Sequence, residues 1–301
     1  MKQATKQVVT SNVLLLLIAC IWGTAFVAQE VGVSYIGPLF FNGIRFLLGT
    51  LFLLPLLIIR KKKLQFSIKK YIPGGLVLGA VLFIAATLQQ VGIVDVHTTA
   101  GKAGFITGLY VILVPIFAYF LKHRIAWNVW PSALLAVVGL YVLSIINSFT
   151  LGWGDLLVLL SAVFWAVHII VIDRLSPEMD SIALAAIQFA VCGMLSILSA
   201  LFLEPFSIIY VKNALIPLLY SGLLSIGIAY TLQVVVQKRA KPFQVSIILS
   251  SESLFAVLGG WLIIGETLSE TQIIGCVLML SGMILSQIHI QTHRKTTFYT
   301  R

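Results

Sequence analysis

Charge is what this 301-residue sequence has least of: only 10% of its residues are Asp, Glu, Lys or Arg, against about 25% in an ordinary soluble domain. Hydrophobic residues make up 59%, above the usual range of about 45–50%. Mean hydropathy is +1.05. Length alone would allow two soluble domains. This composition excludes them and predicts a polytopic membrane protein. Cysteine is scarce too. Cys20, Cys192 and Cys276 each lie within an apolar run, with neither disulfide nor metal-ligand spacing, and they read as small packing residues. The sequence shows no phosphate loop, metal-ligand cluster or paired midplane carboxylates. Nothing therefore supports enzyme chemistry, a cofactor, a bound metal or direct use of ATP.

What is there is a series of long apolar runs. A membrane-crossing helix needs about 20 mostly apolar residues. Ten such runs are present, at 13–29, 37–59, 71–91, 98–120, 129–146, 155–173, 182–203, 213–236, 243–264 and 271–289. Continuous apolar runs predict helices rather than a barrel, whose strands alternate apolar and polar residues. Pro38, Pro73, Pro131, Pro217 and Pro242 fall near run starts, where a missing N–H costs little. Pro55 and Pro115 lie inside runs, and a kink is expected at each. Pro115 is a candidate hinge. Leu17-Ile18-Ala19-Cys20 resembles a lipoprotein cleavage box, but the apolar run continues through Ala28. A signal peptide would turn polar there, so a retained first helix is expected.

Lys and Arg set the expected direction. With the N-terminus cytoplasmic, the cytoplasmic segments hold 17 of the 20 basic residues. Lys212 is then outside, while Arg45 and Lys102 lie in runs. The loop after the sixth run is an exception, because Arg174 is outnumbered by Asp173, Glu178 and Asp180. Both termini are expected on the cytoplasmic side. The net charge of +10 is then explained by topology and anionic-lipid contact, and no nucleic-acid partner is needed.

The chain also repeats itself weakly. Trp22 matches Trp165, and each is followed eight residues later by an acid, Glu30 and Asp173. Ile72-Pro73 matches Ile216-Pro217, and Thr87-Leu88-Gln89 matches Thr231-Leu232-Gln233. Arg45 falls opposite Gln188, and Gly139 opposite Gly282, both at a spacing of 143. A repeated unit of five helices enters the membrane from opposite sides in its two copies. Inverted repeats of this kind mark secondary transporters, with the substrate site near the midplane between repeats. The expected organisation is a first repeat at 13–146, a second at 153–289 and a short basic cytoplasmic tail at 290–301.

The segment "ILSSESLFAVLGGWLIIGETLSETQIIGCVLMLSGMIL" resembles the EamA family of the drug/metabolite transporter superfamily. So do "IWGTAF", "GIRFLLG" and "GFITGLYVILVPIFA" in the first half. The likeness covers about residues 13 to 289. In that family a Glu-Pro pair is common in the ninth helix and a Gly-Glu pair at its end. Glu252 and Gly265-Glu266 match, while Ser253 stands in place of the proline. The resemblance implies an all-α, ten-helix carrier of the bacterial inner membrane, often an exporter of amino acids or other small metabolites. Its partners would be a small-molecule substrate and membrane lipids. Two other classes remain open. A lipid scramblase or integral-membrane enzyme would need lipid-facing polar grooves or catalytic clusters. A sensor or scaffold would be expected to carry a sizeable soluble domain.

Ionisable groups inside a membrane are costly, about 2.5–3.5 kcal/mol on translocon scales, so they are the first candidates for function. Glu252 lies nine residues into the ninth run, roughly 13–14 Å at 1.5 Å per residue, near the midplane. It either recognises a substrate ammonium or couples to protons, or it is a protonated acid joining helices. Arg45 would hold a substrate carboxylate or pair with an acid, and its side chain can partly snorkel. His168 is a second candidate proton site, with a neutral packing role as the alternative. Gln89, Gln188 and Gln233 can line a path or bond across helices. Trp22, Tyr110, Trp165 and Tyr230 can enclose a substrate or simply pack. Gly75-x-x-x-Gly79 and Gly104-x-x-x-Gly108 allow close helix contact.

Overall fold

Backbone N–H and C=O groups have no water to bind inside a bilayer, so apolar runs of this length satisfy them within helices. The computed structural model describes residues 2–64, 68–95, 98, 100–123, 125–144, 152–259 and 269–287. Among these every regular element is helical. The first half comprises α1 (Lys2–Val33), α2 (Pro38–Leu64), α3 (Ile72–Ile93), α4 (Ala100–Gly108), α5 (Tyr110–Phe120) and α6 (Val129–Ser144). The second half begins with α7 (Trp153–Leu175), α8 (Ser181–Leu203), α9 (Ile208–Asn213) and α10 (Leu215–Leu219). A π-helical segment (Tyr220–Tyr230) leads into α11 (Thr231–Gln237), followed by α12 (Pro242–Leu249), α13 (Glu252–Gly259) and α14 (Glu270–Gln287). Pro38 and Pro242 open their helices, and Pro73 sits in the first turn of α3. Among the described residues, seven helical stretches are long and apolar enough to cross a membrane. Val129–Gly139 and Ile273–Ser286 are shorter apolar helices. The end of the ninth run with Gly265 and Glu266, the ends of the fifth and tenth runs and the 290–301 tail lie outside the described residues.

Three runs depart from a plain α-helix. The fourth breaks at Leu109, whose N–H donates to Ile106 O at 3.2 Å and whose carbonyl accepts from Ile112 N at 3.1 Å. These are bonds of i to i−3 type. Pro115 lies inside α5, six residues after the break and beyond the reach of its direct effect on the Val111 carbonyl. The ninth run breaks at Ser250-Ser251 with no proline present. Ser250 Oγ donates to Ile247 O at 2.9 Å and Ser251 Oγ to Ile248 O at 2.6 Å. Back-bonding of this kind competes with the helical ladder and bends it, so serines make the interruption here. The eighth run is π-wound over 11 residues, a rare geometry whose usual form is a single turn inside an α-helix. Nothing in the hydrophobic pattern foretold it, nor the short α9.

The two halves interleave. The most extensive packing joins one half to the other: α6 with α14, α2 with α8 and the π segment, α3 with both α7 and α8, α1 with α13 and the π segment, and α7 with α4 and α5. Exchanging each run with the run five later maps this set onto itself. The α3–α7 contact becomes that of the π segment with α1, and the α3–α8 contact becomes that of the π segment with α2. Matched glycines permit close approach of α6 and α14. A Cβ at Gly139 would lie 2.7 Å from Met279 N, and one at Gly282 would lie 2.8 Å from Ser132 O. Gly75 and Gly79 face Ile187 and Val191 of α8 in the same way.

The α2–α8 pair is tied at both ends. At one, Arg60 Nη2 donates to Asp180 Oδ2 at 2.6 Å. The other oxygen of Asp180 caps α8 by accepting from Ile182 N and Ala183 N at 3.1 and 3.0 Å. At the opposite end Glu204 caps α2, its two oxygens accepting from Leu39 N at 2.7 Å and Phe40 N at 2.9 Å. Arg60 and Glu204 stand 144 residues apart, the same spacing as the matched glutamines.

Candidate functional site

On α1, Trp22, Ala25, Phe26 and Gln29 follow the i, i+3, i+4, i+7 pattern of one helical face. That face borders a cavity at the centre of the bundle. α7 contributes Trp165 and Ile169, one turn apart, and α3 contributes Gln89. Ser225, Tyr230 and Gln233 come from the eighth run, Arg45 from α2, Thr107 from α4 and Tyr110 from the start of α5. Glu252 completes the wall from the start of α13. The cavity volume is about 40 Å³, room for a few waters. Eight of the ten residues singled out in the sequence thus meet at one place. Trp22 with Trp165, and Gln89 with Gln233, meet there as matched pairs from the two repeats.

Glu252 and Tyr110 each open a half-helix just after the break in their run. They stand 142 residues apart, close to the general repeat spacing, and they touch: Tyr110 Oη donates to Glu252 Oε1 at 3.2 Å. A second tie joins the same two runs, from Ser253 Oγ to the Gly104 carbonyl at 2.7 Å. The position of Glu252 at a helix N-terminus suits a carboxylate, since the peptide dipoles there point their positive end toward it.

Arg45 does not snorkel. It is 3% exposed, held with its guanidinium 5.5 Å from the Phe41 ring centre and 5.3 Å from that of Phe46. These are cation–π distances. No carboxylate pairs with it among the described residues, and its Nε has no hydrogen-bond partner there. The aromatic wall is continuous. Trp22 and Tyr230 have ring centres 4.4 Å apart, and Trp165 stacks on Tyr230 at 5.9 Å with an interplanar angle of 28°. Trp22 Nε1 donates to Ser225 O at 3.4 Å.

Among the glutamines, Gln89 Nε2 donates to Thr107 Oγ1 at 2.9 Å. Gln29 Oε1 and Gln233 Oε1 are buried without a partner among the described residues. Buried polar atoms are ordinarily paired. The cavity thus gathers acceptors and a guanidinium that have hydrogen-bonding capacity to spare.

His168 and Gln188 are brought together, but away from the cavity wall. His168 Nε2 and Gln188 Oε1 lie 2.9 Å apart. The imidazole packs edge-on to Trp165 at 6.0 Å and to Tyr230 at 6.4 Å, fully enclosed behind them. The side chain of Lys102 lies outside the described residues. The sequence reading missed Gln29, Thr107 and Ser225. Gln29 was findable, because it shares the helical face of Trp22. Nothing distinguishes Thr107 or Ser225 from other small polar residues in apolar helices.

The sequence profile of the EamA-like transporter family matches residues 10–145 and 152–287. An uncharacterized transporter of Archaeoglobus fulgidus is 32% identical over 277 residues, 92% of this chain and 85% of the relative. The uncharacterized transporter YoaV of Bacillus subtilis is 27% identical over 284 residues, 89% of this chain and 94% of its own. The S-adenosylmethionine/S-adenosylhomocysteine transporter of Chlamydia muridarum is 22% identical over 269 residues, 84% of each chain. A solved crystal structure of a protein superposes with a TM-score of 0.77 at 17% identity, covering 92% of this chain and 96% of the other. At that identity the likeness speaks to the fold alone. Two copies of the family domain fill nearly the whole sequence, and the chain belongs to the EamA-like transporter family, within the drug/metabolite transporters.

Proposed function

We propose that this membrane transporter is a secondary carrier of the bacterial inner membrane, with ten crossing helices and both termini cytoplasmic. It exports small zwitterionic metabolites of amino-acid type by alternating access to the central cavity. One observation carries the substrate class. A buried guanidinium, Arg45, and a buried carboxyl group, Glu252, line the same cavity without pairing to each other. Buried charges left uncompensated cost several kcal/mol each after relaxation. A cargo carrying a carboxylate and an ammonium compensates both at once, and an apolar side chain on it meets Trp22, Trp165 and Tyr230. S-Adenosylmethionine, the cargo in the chlamydial relative's name, carries such a head group. The observed cavity holds only a few waters, so loading requires its walls to separate. No nucleotide-binding motif is present in the sequence, and the driving force in this reading is a gradient of cargo or protons. Glu252 is the candidate proton carrier at the cavity. His168, enclosed behind the aromatic wall, acts on it only through Trp165 and Tyr230.

The test is substrate-stimulated counterflow in proteoliposomes. The panel comprises amino acids, their decarboxylated amines and their deaminated acids, with lipid flipping followed in the same vesicles. Wild type is expected to move the zwitterions saturably. Arg45→Gln is expected to raise the KM of zwitterions by about tenfold or more, the loss of a hydrogen bond to a charged group at about 1.5–3 kcal/mol, and to leave decarboxylated amines unaffected. Absence of saturable flux across the whole panel would overturn the carrier reading, and lipid flipping without metabolite flux would replace it with scramblase activity.

A further inference from the structure

Away from the central cavity, α3, α5 and α7 leave an open groove of about 460 Å³ where the N-terminal end of α3 meets the C-terminal ends of α5 and α7. Its lining is apolar apart from Arg174, with Val77 and Leu121 on the walls and Leu175 and Met179 across from them. Tyr119, Phe120, Trp127 and Trp130 are exposed at the same end, the level at which amphipathic rings mark a membrane interface. Three cations stand around this groove. Arg174 lines it, Lys122 follows the wall residue Leu121, and Lys70 lies just before α3; all three are exposed. Of the acids in the adjoining loop, Asp180 is engaged with Arg60 and the α8 N-terminus, Asp173 lies 3.8 Å from His123, and the side chain of Glu178 lies outside the described residues. Arg174, Lys122 and Lys70 have no ion-pair partner among the described residues.

Lys122 adds an independent observation. Its φ is 62°, and it is the only non-glycine residue with positive φ among those described. It ends α5 with Lys122 N donating to Tyr119 O at 2.9 Å and His123 N to Ala118 O at 3.0 Å. The left-handed position closing a helix is usually glycine, which has no Cβ to strain it. A lysine there is worse for the backbone than glycine, which points to a use for its ammonium group.

We propose that this groove binds an anionic phospholipid, with part of an acyl chain against Val77 and Leu121 and the phosphate held by Arg174 and Lys122. The proposal is independent of the cargo, and positive-inside reasoning places the site in the cytoplasmic leaflet.

The experiment uses the purified full-length protein in detergent. Native mass spectrometry compares retention of phosphatidylglycerol with that of phosphatidylcholine of the same chains. Unfolding temperature is read in parallel. Phosphatidylglycerol is expected to be retained in preference, each cation contributing about fivefold. Lys122→Gly should cut that preference about fivefold while the unfolding temperature without lipid holds or rises. Arg174→Gln should cut it similarly, and R239Q/K241Q, in the neighbouring basic loop, should leave it intact. Equal retention of the two lipids in wild type, an undiminished preference in both groove variants, or loss in the loop variant instead would each overturn the proposal. So would equal binding of glycerol phosphate, which would make this a free-anion site, or of diacylglycerol, which would mean that charge is not read. A fall in unfolding temperature with Lys122→Gly would assign that residue a structural role and refute its part in the site.

Discussion

In the proposed cycle the hydroxyl of Tyr110 and the ammonium of the cargo compete for one oxygen of Glu252. Tyr110→Phe keeps the ring and removes only the donor. The observed bond is 3.2 Å long, beyond the usual range of about 2.5–3.0 Å for O–H···O. Its worth therefore sits at the low end for a hydrogen bond to a charged group, about 1.5 kcal/mol, which is about tenfold in an equilibrium constant. Tyr110→Phe is expected to lower the KM for amine-bearing cargo by up to about tenfold and to leave deaminated acids unchanged. Glu252→Gln keeps the shape and removes ionisation, so it should raise the KM for zwitterions. Counterflow kinetics on the two single variants and the double variant form a cycle. If the competition is real, the Tyr110→Phe effect shrinks to less than about twofold in the Glu252→Gln background, a strong departure from additivity. An equal Tyr110→Phe effect in both backgrounds, or a KM that rises, would refute it and leave the bond as a tie between helices. Normal transport by Glu252→Gln at every pH would remove both charge binding and proton carriage from this residue.

The packing makes two further predictions. Gly139→Leu drives a side chain into the α14 backbone, where a Cβ already meets Met279 N at 2.7 Å; overpacking of about 1–3 kcal/mol should lower the unfolding temperature in detergent. Gly104→Ala is the control, because its nearest neighbour would be 3.6 Å away, and it should be tolerated. Glu204→Ala strips the cap from α2 and should cost about 0.5–2 kcal/mol, with faster hydrogen exchange at Leu39 and Phe40 than at residues one turn further in.

How much of this was legible depends on the kind of signal. Hydrophobic run length is strong because lipid leaves the backbone few options. Most described run ends fall within about five residues of a helix end, but α1 starts at Lys2, well before its run at 13–29, because a helix continues through polar residues that the run excludes. Constant spacing also carried real information: Trp22 and Trp165, or Gln89 and Gln233, are weak matches singly, yet both pairs face one cavity. Burial was harder. Arg45 was given the option of reaching solvent, and only the packing of Phe41 and Phe46 around it excludes that. His168 and Gln188 had the same sequence credentials as Gln89, yet they point to each other, because side-chain direction within an apolar helix has no polar face to report it. The breaks at Leu109 and Ser250 were disguised. The first lies six residues before Pro115, and serines bend a helix only when their hydroxyls turn back on the backbone.

Reading along the chain suggests two halves rocking about a central cavity, and the packing around that cavity groups helices from both repeats. α3, α4, α5 and α7 pack together on one side of the cavity, and α1, the π segment, α12 and α13 on the other. Each group draws helices from both repeats, while α2–α8 and α6–α14 join matched runs across the pseudo-twofold axis. In the proposed cycle we take these two groups to move, with Tyr110–Glu252 and Ser253–Gly104 among the contacts between them. Perfect symmetry would make the inward and outward states equivalent by exchange of the two groups. In the proposed cycle selectivity and direction reside where mates differ. Tyr110 stands opposite Glu252, Arg45 opposite Gln188, and the regular α3 opposite the π-wound eighth run. An acid, a cation and an irregular helix each occur once, at positions whose mates are neutral or regular.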